Sequence, residues 1–111
     1  MSDKRRRAKR TELTTFCPST FDYKGKSYRA VMQNVAELGA GFRVESATDD
    51  PHFENGDEVD FEIRTPYGPS TCSGRIIWTK KIGEYYTWGI EFTKLSDDQK
   101  DPLRCLIDSP F

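Results

Sequence analysis

The chain has 111 residues, of which 35% are hydrophobic and 32% charged, a size and composition typical of one globular domain with its own core. No run approaches the ~20 apolar residues of a membrane span, and no apolar stretch follows the basic N-terminus as a signal peptide requires. We therefore expect a cytoplasmic protein without membrane insertion. The three cysteines and the single histidine are far apart in the sequence and predict no metal site.

A basic segment occupies residues 1–10. Six Lys and Arg residues stand there against Asp3, a net charge of +5, and because the whole chain carries −1, residues 11–111 carry −6. This separation of charge predicts that the segment binds an anionic partner or folds back on the acidic body, unless it is only a solvated tail. We divide the chain accordingly into a flexible N-terminal ligand-binding segment, 1–10, and one folded domain, 11–111.

After the basic segment the chain shows short runs of alternating apolar and polar residues, which are typical of β-strands, separated by turn residues. The clearest run alternates Val59, Phe61 and Ile63 with charged residues. The predicted strands lie within 11–23, 27–33, around 42–44, and within 59–64, 70–79 and 86–92. In the fifth of these, alternation places four residues on one face: Cys72, Gly74, Ile76 and Trp78.

A short helix is predicted near the C-terminus, because Asp101 suits an N-cap and Pro102 the first helical position. Leu103, Leu106 and Ile107 would form its apolar face. Antiparallel strands of this length favour a closed barrel over an open sheet, since closure removes exposed strand edges. The predicted fold class is all-β, a six-stranded antiparallel barrel with a C-terminal helix.

Enzymatic activity is not expected. The chain has one histidine, no glycine-rich phosphate loop before a helix, and no recognisable spacing of a nucleophile and a base.

The arginines of the basic segment suit a ligand that carries both phosphates and guanine bases. A planar guanidinium group donates two parallel hydrogen bonds to phosphate oxygens or to guanine O6 and N7. Arg6-x-x-x-Arg10, followed by Asn34-x-Ala36-x-x-Gly39, resembles the paired signature of the PilZ domain family, RxxxR and then [D/N]xSxxG. Together, in register with the predicted strands, the two motifs identify the chain as similar to PilZ domains over nearly its whole length.

The resemblance implies a PilZ-type barrel whose N-terminal segment folds across one rim and encloses cyclic di-GMP, with no other cofactor. Arg6 and Arg10 would contact guanine and phosphate, and Asn34 would hold a guanine edge or an arginine. Gly39 would allow the backbone to turn close to the ligand. Arg5 and Arg7 flank the motif and would add phosphate contacts.

Two further residues bear on binding. Ala36 stands where the family has a serine, and the loss of a hydrogen bond worth about 0.5 to 1.5 kcal/mol lowers the expected affinity several-fold. Trp78 is either a core residue or an exposed aromatic on which a purine stacks, a contact worth about 1 to 3 kcal/mol per base.

The resemblance thus implies a bacterial cyclic di-GMP receptor whose arginine segment becomes ordered on the ligand and switches the interaction with a downstream protein. Ala36 favours an alternative, a protein-interaction adaptor of the PilZ fold with weak or no nucleotide binding. A third hypothesis, a barrel that binds single-stranded nucleic acid, is disfavoured by the acidic body, and no nucleic-acid partner is expected.

Overall fold

The computed structural model describes residues 11–13, 16–44 and 51–109, so the basic segment lies outside it. Strands and one helix follow one another along these residues: β1 (Thr11–Glu12), β2 (Pro18–Tyr23), β3 (Lys26–Val35), β4 (Gly39–Val44), β5 (Glu58–Thr65), β6 (Gly68–Ile82), β7 (Tyr85–Lys94) and α1 (Pro102–Asp108). No helix within the described ranges is long and apolar enough to cross a membrane.

Strands β2 to β7 form a closed antiparallel barrel, which confirms the predicted fold class. Neighbouring strands follow the order β3-β2-β5-β6-β7-β4, and β4 pairs again with β3 to close the ring. The two-residue strand β1 stands outside this ring and pairs with the end of β3. Strands β4 and β5 are three positions apart in either direction around the ring, so they lie on opposite walls.

The core of the barrel is built on aromatic rings. Phe42 stacks on Phe61 and on the fully buried Trp88, with ring centroids 4.8 and 5.9 Å apart. Leu103 and Leu106 of α1 are also fully buried and join the same core. The helix therefore packs against the barrel through the apolar face that the sequence predicts.

The start of α1 is tied to the barrel by its cap. The Asp101 carboxylate accepts hydrogen bonds from the N–H groups of Leu103 and Arg104, at 3.1 and 3.2 Å, with Pro102 in the first turn. The hydroxyl of Ser70 in β6 donates to the same carboxylate at 2.9 Å. The predicted cap is confirmed, and it also fixes the position of the helix relative to the sheet.

A β-bulge in β6 overturns the prediction that Trp78 shares a face with Ile76. Ile76 pairs with Ile90 and Trp78 with Gly89, so Ile77 is an extra residue with no opposite partner. A bulge shifts the alternation by one residue and so reverses the faces that follow it. Ile76 is 1% exposed, whereas Trp78 is 38% exposed on the outer surface.

A hydrogen-bonded pair joins the end of β2 to the loop before β5. The Tyr23 hydroxyl donates to the Asp57 carboxylate, which also accepts the Glu54 N–H at 3.0 Å. These hydrogen bonds, the one from Tyr23 first, hold the pKa of Asp57 below its usual value, and the same bond raises the pKa of Tyr23 to about 12. The pair is thus most stable with the phenol protonated and the carboxylate ionised.

Tyr23→Phe is expected to lower the melting temperature at pH 7 by roughly 2 to 5 °C, because it removes this bond while the ring keeps its packing on Phe53. A carboxyl group whose pKa is lowered by folding stabilises the fold at pH values above the pKa that it has in the unfolded chain. This stabilisation is lost as the pH falls through the lower pKa of the folded state. A phenol whose pKa is raised by folding stabilises the fold at pH values below the pKa that it has in the unfolded chain. This stabilisation is lost as the pH rises towards about 12, the pKa of Tyr23 in the folded state.

Thermal melts across pH should therefore show the deficit of Tyr23→Phe at neutral pH and its disappearance at both extremes. Tyr28→Phe is the matched control, since the Tyr28 ring also stacks, on Phe21, and its hydroxyl has no hydrogen bond within the described residues. A deficit that stays constant down to pH 3 would argue against this assignment.

Candidate ligand-binding site

The start of the described chain lies beside the end of β3. Thr11 pairs with Val35 and Glu12 with Asn34. Because Thr11 directly follows Arg10, the basic segment joins the barrel at the strand end that carries Asn34. Four predicted ligand residues lie outside the described part of the chain, and their contacts remain predictions: Arg5, Arg6, Arg7 and Arg10.

A tight turn joins β3 to β4 and carries the second half of the predicted motif. The N–H of Ala36 donates to the carbonyl oxygen of Gly39 at 2.8 Å, which closes the turn. The carbonyl oxygen of Leu38 accepts the N–H of Phe92 in β7 at 2.9 Å. One hydrogen bond within the turn and one to β7 thus fix the position of the backbone that follows Asn34.

Gly39 is required by a close approach of β4 to β7. A Cβ atom at this position would overlap the carbonyl oxygen of Ile90 and lie 3.2 Å from its carbonyl carbon. Because Gly39 is not among the glycines with positive φ, the requirement is steric and not one of backbone conformation. The structure therefore provides a packing reason for this glycine, while its predicted contact with a ligand remains a prediction.

A row of outward-facing residues crosses four strands of the barrel. Asn34 of β3 pairs with Gly41 of β4, Gly41 with Gly89 of β7, and Gly89 with Trp78 of β6. Neighbouring strands are about 4.8 Å apart, so Asn34 and Trp78 are separated by about 14 Å along the row. The row has a polar amide at one end, an exposed aromatic at the other, and two glycines between them.

Each glycine of this row is covered by its neighbour's side chain. A Cβ atom on Gly41 would lie 2.8 Å from Oδ1 and 2.9 Å from Nδ2 of Asn34, and one on Gly89 would overlap the indole of Trp78. Both side chains therefore occupy the space above glycine backbone that a Cβ atom would fill. The sequence motifs do not include Gly41 and Gly89 as site residues, although a glycine inside a strand is a known signal of close approach.

The outer wall that contains this row is cationic. Arg43 of β4 and Lys80 of β6 face outward on it, and Arg75 of β6 forms an ion pair with Glu91 of β7 at 3.5 Å. The opposite wall has the reverse character, since three carboxylates and one cation face outward from β5: Glu58, Asp60, Glu62 and Arg64. An anionic ligand is attracted to the wall of β4, β6 and β7 and repelled from that of β5.

The described residues contain no group of three or more His, Cys, Asp or Glu side chains that could hold a metal ion. Cys17 and Cys72 are buried, and burial raises the pKa of the Cys72 thiol to about 12. A thiol with such a pKa is protonated at neutral pH and is a poor nucleophile.

Comparison with known protein families assigns the chain. A family model for the PilZ domain matches residues 4–109, so the chain belongs to the PilZ domain family. The resemblance inferred from the two motifs is confirmed. A comparison with curated proteins finds no match.

Solved structures share the fold at low sequence identity. The PilZ domain of YcgR from Escherichia coli, solved with c-di-GMP, has a TM-score of 0.71 and 15% identity over 91% of this chain and 87% of that one. The MrkH–c-di-GMP complex of K. pneumonia gives 0.70 and 18%, over 90% and 50%. The Bacillus subtilis inhibitor of motility MotI/DgrA gives 0.68 and 13%, over 87% and 47%. The chain therefore spans about half the length of the last two proteins.

Proposed function

We propose that this protein is a cyclic di-GMP receptor that binds its ligand on the outer wall of β4, β6 and β7, under the basic N-terminal segment. The observation that carries the proposal is the pairing of β1 with the end of β3. Through Thr11 and Val35 it brings the chain that follows Arg10 next to the turn that begins at Ala36. In this proposal the two halves of the signature, far apart in sequence, meet at one rim.

The proposed contacts follow from the chemistry of the wall. Arg6 and Arg10 donate paired hydrogen bonds to phosphate oxygens or a guanine edge. Asn34 offers its amide at one end of the glycine row, and Trp78 offers a ring face on which guanine can stack at the other. Arg5 and Arg7 add phosphate contacts. The relatives solved with c-di-GMP, YcgR and MrkH, support this choice of ligand.

Binding would also act as a switch. Six cationic side chains in residues 1–10 repel one another until the phosphates of the ligand neutralise them, so the segment becomes ordered only on the ligand. The ordered segment changes the surface that a downstream protein contacts. In this proposal the protein is a cytoplasmic bacterial receptor without enzymatic activity, and cyclic di-GMP is its ligand and not a substrate.

Calorimetric titration with cyclic di-GMP tests the binding step, with cyclic di-AMP as the control that carries the same phosphates and different bases. Saturable binding of cyclic di-GMP alone is expected, accompanied by a change in the fluorescence of Trp78. In NMR spectra recorded as cyclic di-GMP is added, the amide signals of residues 4–10 should shift and gain protection from exchange. Absence of saturation would contradict the receptor proposal, and unchanged amides would contradict the switch alone.

Ala36 is the residue that favours the alternative function, a PilZ adaptor that binds its protein partner with or without nucleotide. Ala36→Ser restores the family's hydroxyl and is expected to raise the affinity for cyclic di-GMP by roughly 2- to 10-fold, the value of one neutral hydrogen bond. Ala36→Cys is the matched control, because its thiol has a similar shape but is a weak donor.

Calorimetry on the three proteins separates the two functions. If the protein is a receptor, the natural chain binds cyclic di-GMP and the Ala36→Ser variant binds it more tightly. If the protein is an adaptor that has lost its ligand, the natural chain does not bind cyclic di-GMP. Binding that appears in Ala36→Ser and not in Ala36→Cys would then identify a vestigial site.

A further inference from the structure

Arg43 lies on the same outer wall as the glycine row, two residues further along β4 than Gly41. It pairs with Thr87 of β7, as Gly41 pairs with Gly89, and both pairs face outward. Residues two apart on a strand share a face and are separated by about 7 Å. An arginine side chain at this position can therefore reach a ligand that lies over Gly41 and Gly89.

The environment of Arg43 differs from that of Arg75 and Arg104, which form ion pairs. Its guanidinium lies over the Tyr85 ring, 4.9 Å from the centroid. Its Nε atom is buried and has no hydrogen-bond partner within the described residues. By contrast, Arg75 and Arg104 each form an ion pair with a glutamate. A buried donor without a partner is costly, so a site that keeps one suggests a partner supplied by a ligand.

The neighbours of Arg43 also indicate an anion. Lys80 of β6 pairs with Thr87, so the row next to the glycines presents two cations with a threonine between them. The Thr87 hydroxyl donates to the carbonyl oxygen of Lys80 at 3.0 Å and does not neutralise either charge. Within the described strands β4, β6 and β7 the one acidic residue is Glu91, which lies beyond Gly89 on the other side of the glycine row and is paired with Arg75.

We propose that Arg43 is a ligand-contacting residue that binds a phosphate of the cyclic dinucleotide lying across Gly41 and Gly89. The inference rests on the proposed receptor function and extends its site beyond the two signature motifs. Tyr85 holds the guanidinium plane by a cation–π contact, and the guanidinium N–H groups, Nε–H included, donate to phosphate oxygens. Arg43 thereby strengthens binding in a protein that has alanine at position 36.

The test is a calorimetric titration of cyclic di-GMP into the natural chain and three variants. Arg43→Ala is expected to weaken binding by about 10- to 100-fold, the effect of losing a charge-assisted hydrogen bond. Arg43→Lys should recover only part of the affinity, because it keeps the charge and loses the planar fork. Arg64→Ala, which removes the same charge from β5 on the opposite wall, should bind within about twofold of the natural chain.

A second measurement follows the natural chain and does not depend on the folding of a variant. The Arg43 Nε–H signal in nitrogen-15 spectra should shift when cyclic di-GMP is added, and that of Arg64 should not. If the natural chain binds and Arg43→Ala binds equally well, or the Nε–H signal stays in place, the role of Arg43 is overturned and the receptor function stands. If the natural chain does not bind cyclic di-GMP, both proposals fail together.

Discussion

Arg10→Ala is expected to weaken cyclic di-GMP binding by about 10- to 100-fold or more, since in the proposed site the Arg10 guanidinium donates two charge-assisted hydrogen bonds to the ligand. Of the four arginines of the segment, Arg10 is the one directly followed by Thr11, whose pairing with Val35 fixes where the chain meets the barrel. Arg10 is thus the arginine of the segment with the fewest residues between it and the barrel. The melting temperature without ligand should stay within about 1 °C of the natural value, as for a surface change away from the core.

Lys9→Ala is the matched control for Arg10→Ala. It removes the same charge from the neighbouring position, but a lysine lacks the planar fork and contributes only long-range attraction. We expect a loss of at most about threefold for Lys9→Ala, and that loss should vanish as salt is added. Equal losses for the two variants would show that the segment acts through its charge alone, against the specific role given to Arg10.

Gly39→Ala is expected to destabilise the fold by about 2 to 4 kcal/mol and to lower the melting temperature by roughly 10 °C or more. The added Cβ would overlap the carbonyl oxygen of Ile90, which is backbone and cannot rotate away. Strand β4 must then separate from β7 at the point where the Leu38 carbonyl accepts the Phe92 N–H. Thermal and denaturant unfolding measure the effect directly.

Gly41→Ala provides the contrast with Gly39→Ala. Its Cβ would meet the end of the Asn34 side chain, 2.8 Å from Oδ1, and that side chain can move. We therefore expect a stability loss well below that of Gly39→Ala but a clear loss of cyclic di-GMP affinity, because the Asn34 amide would be displaced from its proposed contact with the ligand. If both glycine variants lose the same stability, the distinction between backbone and side-chain obstacles is wrong.

Much of the barrel follows from local sequence patterns. The alternation of Val59, Phe61 and Ile63 in β5 places these residues in the core of the barrel, as predicted. In a strand with one buried face, every second side chain points inward. Asp101 and Pro102 likewise define the start of α1 through chemistry that depends only on adjacent residues. Such features require no knowledge of distant parts of the chain.

Trp78 shows where local patterns are insufficient. Simple alternation places it with Ile76 in the core, and the bulge at Ile77 turns it outward. A bulge arises from the pairing of β6 with β7 and leaves little trace in either strand alone. Gly41 and Gly89 are a similar case, since what covers each glycine is a side chain from a different strand.

The sequence by itself determined the basic segment at 1–10, the two signature motifs and the alternation that makes a six-stranded barrel, because charge, spacing and periodicity are properties of neighbouring residues. Only the tertiary structure decided that Asn34, Gly41, Gly89 and Trp78 form one row and that Arg43 lies beside it. Cross-strand register pairs residues as far apart in sequence as Gly41 and Gly89, which are 48 positions apart, and so links Asn34 to Gly89 through Gly41. That register is set by closure of the barrel and by its bulges, which depend on the whole chain.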